Sequence, residues 1–260
     1  MPSPAERLLQ ELGVTEPDEI DLEAIAYHVG VQLRYRALDG CEARIIGYDD
    51  AAIITVNVAS SVRRQRFSIA HELGHWHHHR GRVLACRVEE YVPQSTTPEE
   101  RSANSYAADL VMPRYLFDPR AHQQGKLTFK VVNALAQTFD TSFTATAIRL
   151  IEGDHAPALL VCHGLQGRKW YVRAPSVAER WTPKQALDPD SRAFNILFGR
   201  APNDPSPRKI GANVWFGDWE ASRFDVHEQS VRVGDGEAIT LILLSDSRMG
   251  REANHPSIGR

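Results

Sequence analysis

The chain contains no stretch of about 18 apolar residues, the length a membrane-crossing helix requires, and it opens on the polar run MPSPAERLLQEL. Neither a membrane span nor a signal peptide is therefore expected. Cysteine is scarce: Cys41, Cys86 and Cys162 are widely spaced, form no C-x-x-C pair and imply no disulfide framework. Incidental or buried thiols are the expected reading, with a redox role for Cys41 or Cys86 the lesser alternative. Excess charge of either sign is also missing. Lys and Arg number 30 against 33 Asp and Glu, a formal net charge of −3, which gives no global pull toward nucleic acid. No internal repeat or low-complexity segment stands out. What is present is a 260-residue chain that is 42% apolar, enough for one large or two small domains. These features suit a soluble protein of the reducing cytoplasm.

Against that background one pentad stands out. Residues 71 to 75 read His-Glu-Leu-Gly-His. On a helix, His71 and His75 lie on one face a turn apart, so two imidazoles can grip one metal ion. Glu72 sits one residue round the helix, placed to act as a base beside that ion. The bland alternative is a histidine-rich surface helix, since His77, His78 and His79 follow. Context favours a site. A helix is expected from Val62 to His79, capped by Ser60 or Ser61 and ended by Arg80-Gly81. A strand-like run, Ala51 to Val58, precedes it, and strand followed by histidine-bearing helix is the zincin arrangement. That strand is also expected to offer an edge on which an extended substrate could add.

Catalytic zinc takes three protein ligands and leaves a position open. The pattern H-E-x-x-H-x-x-G-x-x-H is excluded, because His78 stands in its glycine slot and Gly81 in its last histidine slot. His77 to His79 read instead as an exposed helix end. A glutamate from a later helix is the remaining source. Thr97 can cap and Pro98 can open a helix running to Val111, stopped by Pro113. Glu99 and Glu100 are the candidates. Glu100 shares a face with the small residues Ala103 and Ala107 and with Asn104, which suits close approach to the first helix. Glu100 also fits a capping box with Thr97, and spacing alone leaves ligand and cap open.

Elsewhere, short helices are expected over residues 4 to 12 and after Asp21, and strands over Val31 to Tyr35 and Ala43 to Tyr48, with Asp49-Asp50 as a hairpin turn. Residues 82 to 96 read as an irregular connector. Residues 126 to 152 read as two helices meeting at Asp140-Thr141, a helix-turn-helix-like pair whose only cations are Lys126, Lys130 and Arg149. Packing or partner docking is favoured there over direct DNA binding. Strands follow at 156 to 163 and 169 to 174, and further strands at Val214 to Trp219, Ser222 to Glu228 and Ala238 to Leu244. Trp170, Trp181, Trp215 and Trp219 are expected in a core or an interaction patch. Residues 165 to 209 are locally basic, and a solvated face is the simpler reading.

Four ordered segments together resemble the ImmA/IrrE-like metallopeptidases: IDLEAIAYHVGVQLRY (20 to 35), AIITVN (52 to 57), RRQRFSIAHELGHWHHH (63 to 79) and EERSANSYAADLVMP (99 to 113). The last follows the family signature with Tyr106 for Phe and Val111 for Leu, and Asn104 sets its register on Glu100. The resemblance covers about residues 5 to 155 and implies a mainly helical zincin-like core with a small antiparallel sheet (residues 1–122). With the helix-turn-helix-like unit (123–155) and the strand pattern of a small β-rich C-terminal domain (156–260), the expected class is α+β. The resemblance also implies His71, His75 and Glu100 as metal ligands and Glu72 as the catalytic glutamate. Asn104 is placed either to support a ligand histidine or to pack between the helices. Zinc is the implied ion, with manganese the alternative. The implied activity is cytoplasmic cleavage of a helix-turn-helix (XRE-type) repressor, which derepresses stress-response or mobile-element genes. The alternative is a non-proteolytic regulator or protein-binding module stabilised by the metal.

Overall fold

The computed structural model describes residues 1–79, 84–87, 97–199, 205–234 and 236–250. The expected helix end at Arg80-Gly81 lies outside them. The chain divides into two compact units, Met1–Gln124 with Asn133–Arg149, and Gly125–Val132 with the chain from Leu150 onward. The class is α+β.

The first unit opens with α1 (Pro4–Glu11), closed at its start by a reciprocal Ser3–Glu6 capping box, and α2 (Leu22–His28), capped by Asp21 through the N–H groups of Glu23 and Ala24. Three strands follow: β1 (Val31–Arg36), β2 (Ala43–Tyr48) and β3 (Ala51–Asn57). Asp49 takes a positive φ of 52° in the two-residue turn between β2 and β3, as such hairpins require. Next come α3 (Val62–His79), β4 (Leu84–Arg87) and α4 (Pro98–Val111). Then α5 (Arg114–Gln123), α6 (Phe129–Thr138) and α7 (Phe143–Glu152) complete the helical part.

The sheet order is β1-β3-β2-β4. β1 runs parallel to β3, while β2 runs antiparallel to both β3 and β4, so the sheet is mixed. The expected antiparallel sheet does not hold throughout: β1 lies parallel to β3 because α2 and β1 precede the β2–β3 hairpin and add at its outer side. Two further expectations change. β3 is interior, hydrogen-bonded on both sides, and offers no edge to a substrate; the hairpin covers one side and the returning β1 the other. Part of the 82–96 stretch is strand, because Leu84–Arg87 finds its partner in β2 rather than in its own sequence. One face of the sheet packs on α3, with Ala43, Ile45, Ala52, Ile54 and Val56 meeting Ile69, Ala70, Leu73 and Trp76, all buried. Gly47 is required there: a Cβ on it would stand 2.8 Å from the Trp76 ring. The Trp76 indole N–H donates to Val29 O at 2.9 Å, tying α3 to the end of α2.

The 126–152 pair forms as expected, and Phe129, Val132, Leu135, Phe139, Ala147 and Ile151 are all buried. Arg149 is buried too. It pairs with Asp109 at 2.7 Å and donates to Met112 O at 2.7 Å.

The second unit is built on an antiparallel sheet ordered β6-β5-β9-β8-β7, from β5 (Ala158–Gly164), β6 (Gly167–Arg173), β7 (Arg208–Gly211), β8 (Asp225–Val233) and β9 (Glu237–Leu244). A short α8 (Arg192–Leu197) lies between β6 and β7 in sequence. The strand expected over Val214 to Trp219 is absent: Ala212–Val214 and Trp219–Arg223 are 3-10 turns. Asp218 caps the second turn through Glu220 N–H, and the Trp215 indole is drawn inward to donate to Glu228 Oε2 at 3.0 Å. Trp181 and Trp215 fill the core, while Trp219 is 73% exposed. Four cations of the basic stretch pair with acids elsewhere in sequence: Lys169 with Glu237, Arg180 with Glu220, Arg208 with Glu228 and Lys209 with Asp225.

Candidate metal centre

α3 and α4 pack so closely that Gly74 has no room for a side chain. A Cβ there would lie 2.9 Å from both Cα and O of Ala103, and 3.2 Å from Tyr106 Cβ. This contact aligns the His71–His75 face of α3 with the first turn of α4. His71 and His75 are 2% and 3% exposed, and their Nε2 atoms stand 3.1 Å apart. The Glu100 carboxylate meets both, with Oε2 3.2 Å from His71 Nε2 and Oε1 3.2 Å from His75 Nε2. Glu99 is exposed.

The cap reading of Glu100 resolves into two parts. Thr97 Oγ1 accepts from the backbone N–H of Glu100 at 3.3 Å, so the residue does belong to a capped first turn. Its carboxylate faces the imidazoles. Glu100 is 36% exposed and forms the open side of the group.

Asn104, one turn further along α4, accepts at Oδ1 from His71 Nδ1 at 2.8 Å. That bond fixes the His71 proton on Nδ1 and leaves the Nε2 lone pair aimed at His75 and Glu100. Burial lowers the His71 pKa to about 4; the Asn104 bond opposes the shift and the Arg64 charge adds to it. The imidazole is therefore neutral at neutral pH, the form a metal requires.

Glu72 is wholly buried, and neither carboxylate oxygen has a hydrogen-bond partner among the described residues. Burial, reinforced by the Glu100 charge, pushes its pKa well above the usual carboxylate range. A buried carboxyl with no partner is costly, and such a group beside three convergent ligand atoms indicates a site built for something polar. The donor set fits. Ligands about 2.1 Å from a tetrahedral zinc stand about 3.4 Å apart, close to the spacings of 3.1 and 3.2 Å found here. His71, His75 and Glu100 form a group able to hold a metal ion, their ligand atoms within 4.8 Å of one another. His77 and His78 are exposed and turn to Tyr106, which stacks on His77 with ring centroids 5.0 Å apart.

Two helices presenting His-x-x-x-His and a carboxylate beneath a small sheet define a metallopeptidase-type domain. Residues 26–151 match the family model Peptidase_M78, the IrrE N-terminal-like domain, and this part of the chain belongs to that family. Among solved structures, the chain is similar to a Mycobacterium tuberculosis transcriptional regulator, at 15% identity and a TM-score of 0.60, covering 92% of this chain and 75% of that one. At that identity the likeness speaks for the fold. No curated protein matches the chain.

Proposed function

We propose that the chain is a zinc-dependent endopeptidase whose substrate is a helix-turn-helix (XRE-type) repressor. The observation that carries the reading is the convergence of His71, His75 and Glu100 beside a buried, partnerless Glu72. His71, His75 and Glu100 would hold the ion, with manganese as the alternative to zinc. When bound, zinc would supply Lewis acidity: it would lower the pKa of a water to about 7 and polarise a carbonyl.

The chain's own residues supply the rest. Asn104 keeps the His71 ring oriented and its Nε2 unprotonated. The burial that raises the Glu72 pKa makes its carboxylate a stronger base than a solvated glutamate. Glu72 takes a proton from the attacking water and returns it to the leaving amine. The partly exposed Glu100 marks the side from which a peptide enters.

A repressor substrate is supported by the family of the domain and by the structural neighbour, itself a transcriptional regulator. Direct DNA binding is the weaker reading, since Arg149 is committed to Asp109 and Met112 inside the core. Incubation with the helix-turn-helix protein encoded beside this chain, with and without chelator, tests the proposal. Discrete fragments that vanish with chelator are the expected result. Binding without cleavage would favour a metal-stabilised regulator instead.

A further inference from the structure

The face of the first sheet turned away from α3 carries two unlike rows of side chains. In register across the strands, Gln32, Ile53 and Ile46 form one row. The next holds Arg34, Thr55 and Arg44. Arg36 follows on β1. Arg34, Arg36 and Arg44 are exposed, and none of the three makes an ion pair among the described residues; Arg34 reaches only Gln32 Oε1, at 3.3 Å. Nearby arginines behave differently: Arg63 and Arg66 pair with Asp140, and Arg64 with Glu42. Arg34 and Arg44 stand on either side of Thr55, on the two strands that flank β3; like charges on one face repel, so uncompensated cations in a row are a feature to explain. Beside them lies an open groove of about 750 Å³ lined by Tyr27, Gln32, Ile46 and Ile53 among others. Tyr27 is 86% exposed and Ile46 60%. An apolar groove edged by unpaired cations marks an interaction surface.

We propose that this face docks a segment of a partner protein in which apolar side chains alternate with carboxylates. The apolar groups would fill the groove over Ile46 and Ile53 and against Tyr27. The carboxylates would meet Arg34, Arg44 and Arg36, whose guanidinium forks match carboxylate geometry. Nucleic acid fits less well. Base stacking needs aromatic platforms, and among the described residues that line this groove Tyr27 is the one aromatic. The surface lies on the face of the sheet opposite the helix that bears His71 and His75, so it stands or falls independently of the peptidase reading.

The test uses the full chain and a fluorescent amphipathic peptide of about 14 residues, long enough to span a groove of this kind, with Leu on one face and Glu on the other. Anisotropy titration is expected to give saturable binding that weakens as salt rises. Controls replace every Glu by Lys, replace every Leu by Ser, or use an oligo-dT of similar length. Joint Arg34→Glu and Arg44→Glu substitution should weaken binding at least about tenfold, because opposed charges change complementarity directly. Ile46→Asp should do the same, and the milder Arg34→Gln/Arg44→Gln pair should fall between. All these positions are exposed, and an unchanged thermal melt confirms that the variants fold. Equal binding by the Lys or Ser control, preference for oligo-dT, absence of saturable binding, or unchanged affinity in the charge-reversed variant would each overturn the proposal.

Discussion

At Glu72, burial and the neighbouring Glu100 charge act in the same direction, toward the protonated carboxyl. Glu72→Gln keeps the shape and removes the base. It is expected to leave metal content unchanged while cleavage falls by about 10²–10⁴-fold, measured as metal stoichiometry and repressor turnover on one preparation. Glu100→Gln separates two roles in one residue. The Thr97 bond goes to its backbone N–H and survives, whereas glutamine is a poor ligand; the helix should persist by circular dichroism while metal affinity collapses. In the second unit, His163 is 1% exposed, and burial lowers its pKa from 6.5 to about 4. Below pH 6.5 the unfolded chain takes up a proton that the folded chain refuses, so this residue's contribution to stability is lost as pH falls toward 4. The loss approaches about 1.4 kcal/mol per pH unit within that window. His163→Gln should remove that part of the slope in urea unfolding midpoints followed against pH, and an unaltered slope would contradict it.

Among the elements, the pair α3 and α4 depends on one missing side chain. Gly74→Ala would drive a methyl into the backbone of Ala103. Backbone cannot step aside as a flexible side chain does, so the helices must separate, at a cost of about 1–3 kcal/mol, and Glu100 would withdraw from the imidazoles. Lower melting temperature together with weaker metal binding is the expected pair of readouts; a loss of one without the other would uncouple the contact from the site. These two helices could be read in the sequence because their signals are local: Thr97-Pro98 at one start, the His71–His75 spacing within the other. Asn104 set the register that singled out Glu100. Elements whose reasons are tertiary were not readable. β4 depends on β2 for its pairing. Pro113 reads as a stop yet opens α5, whose Arg114 N–H is received by Glu6 Oε1 at 2.6 Å from far away in the chain. The Val-Trp-Phe run at 214 to 216 has strand propensity, but burial of Trp215 against Glu228 prevails. The position of β3 inside the sheet followed from topology rather than from its own residues.

For the molecule as a whole, the two units are not two halves of the chain. α6 starts in the second unit and ends in the first, and α7 starts in the first and ends in the second. A fragment ending at residue 155 would therefore keep Phe129, Val132, Leu150 and Ile151, each 1% exposed in the full chain, without the rest of the unit they belong to. Such a fragment is expected to bind a hydrophobic dye and to aggregate more than the full chain; a monodisperse, dye-silent fragment would show that the first unit stands alone. The same threading limits how this architecture can be inherited. A cut placed between residues 129 and 152 falls inside one of these helices or between the two, so it cannot exchange the C-terminal portion as a cassette. Any replacement must carry matching helical turns with it.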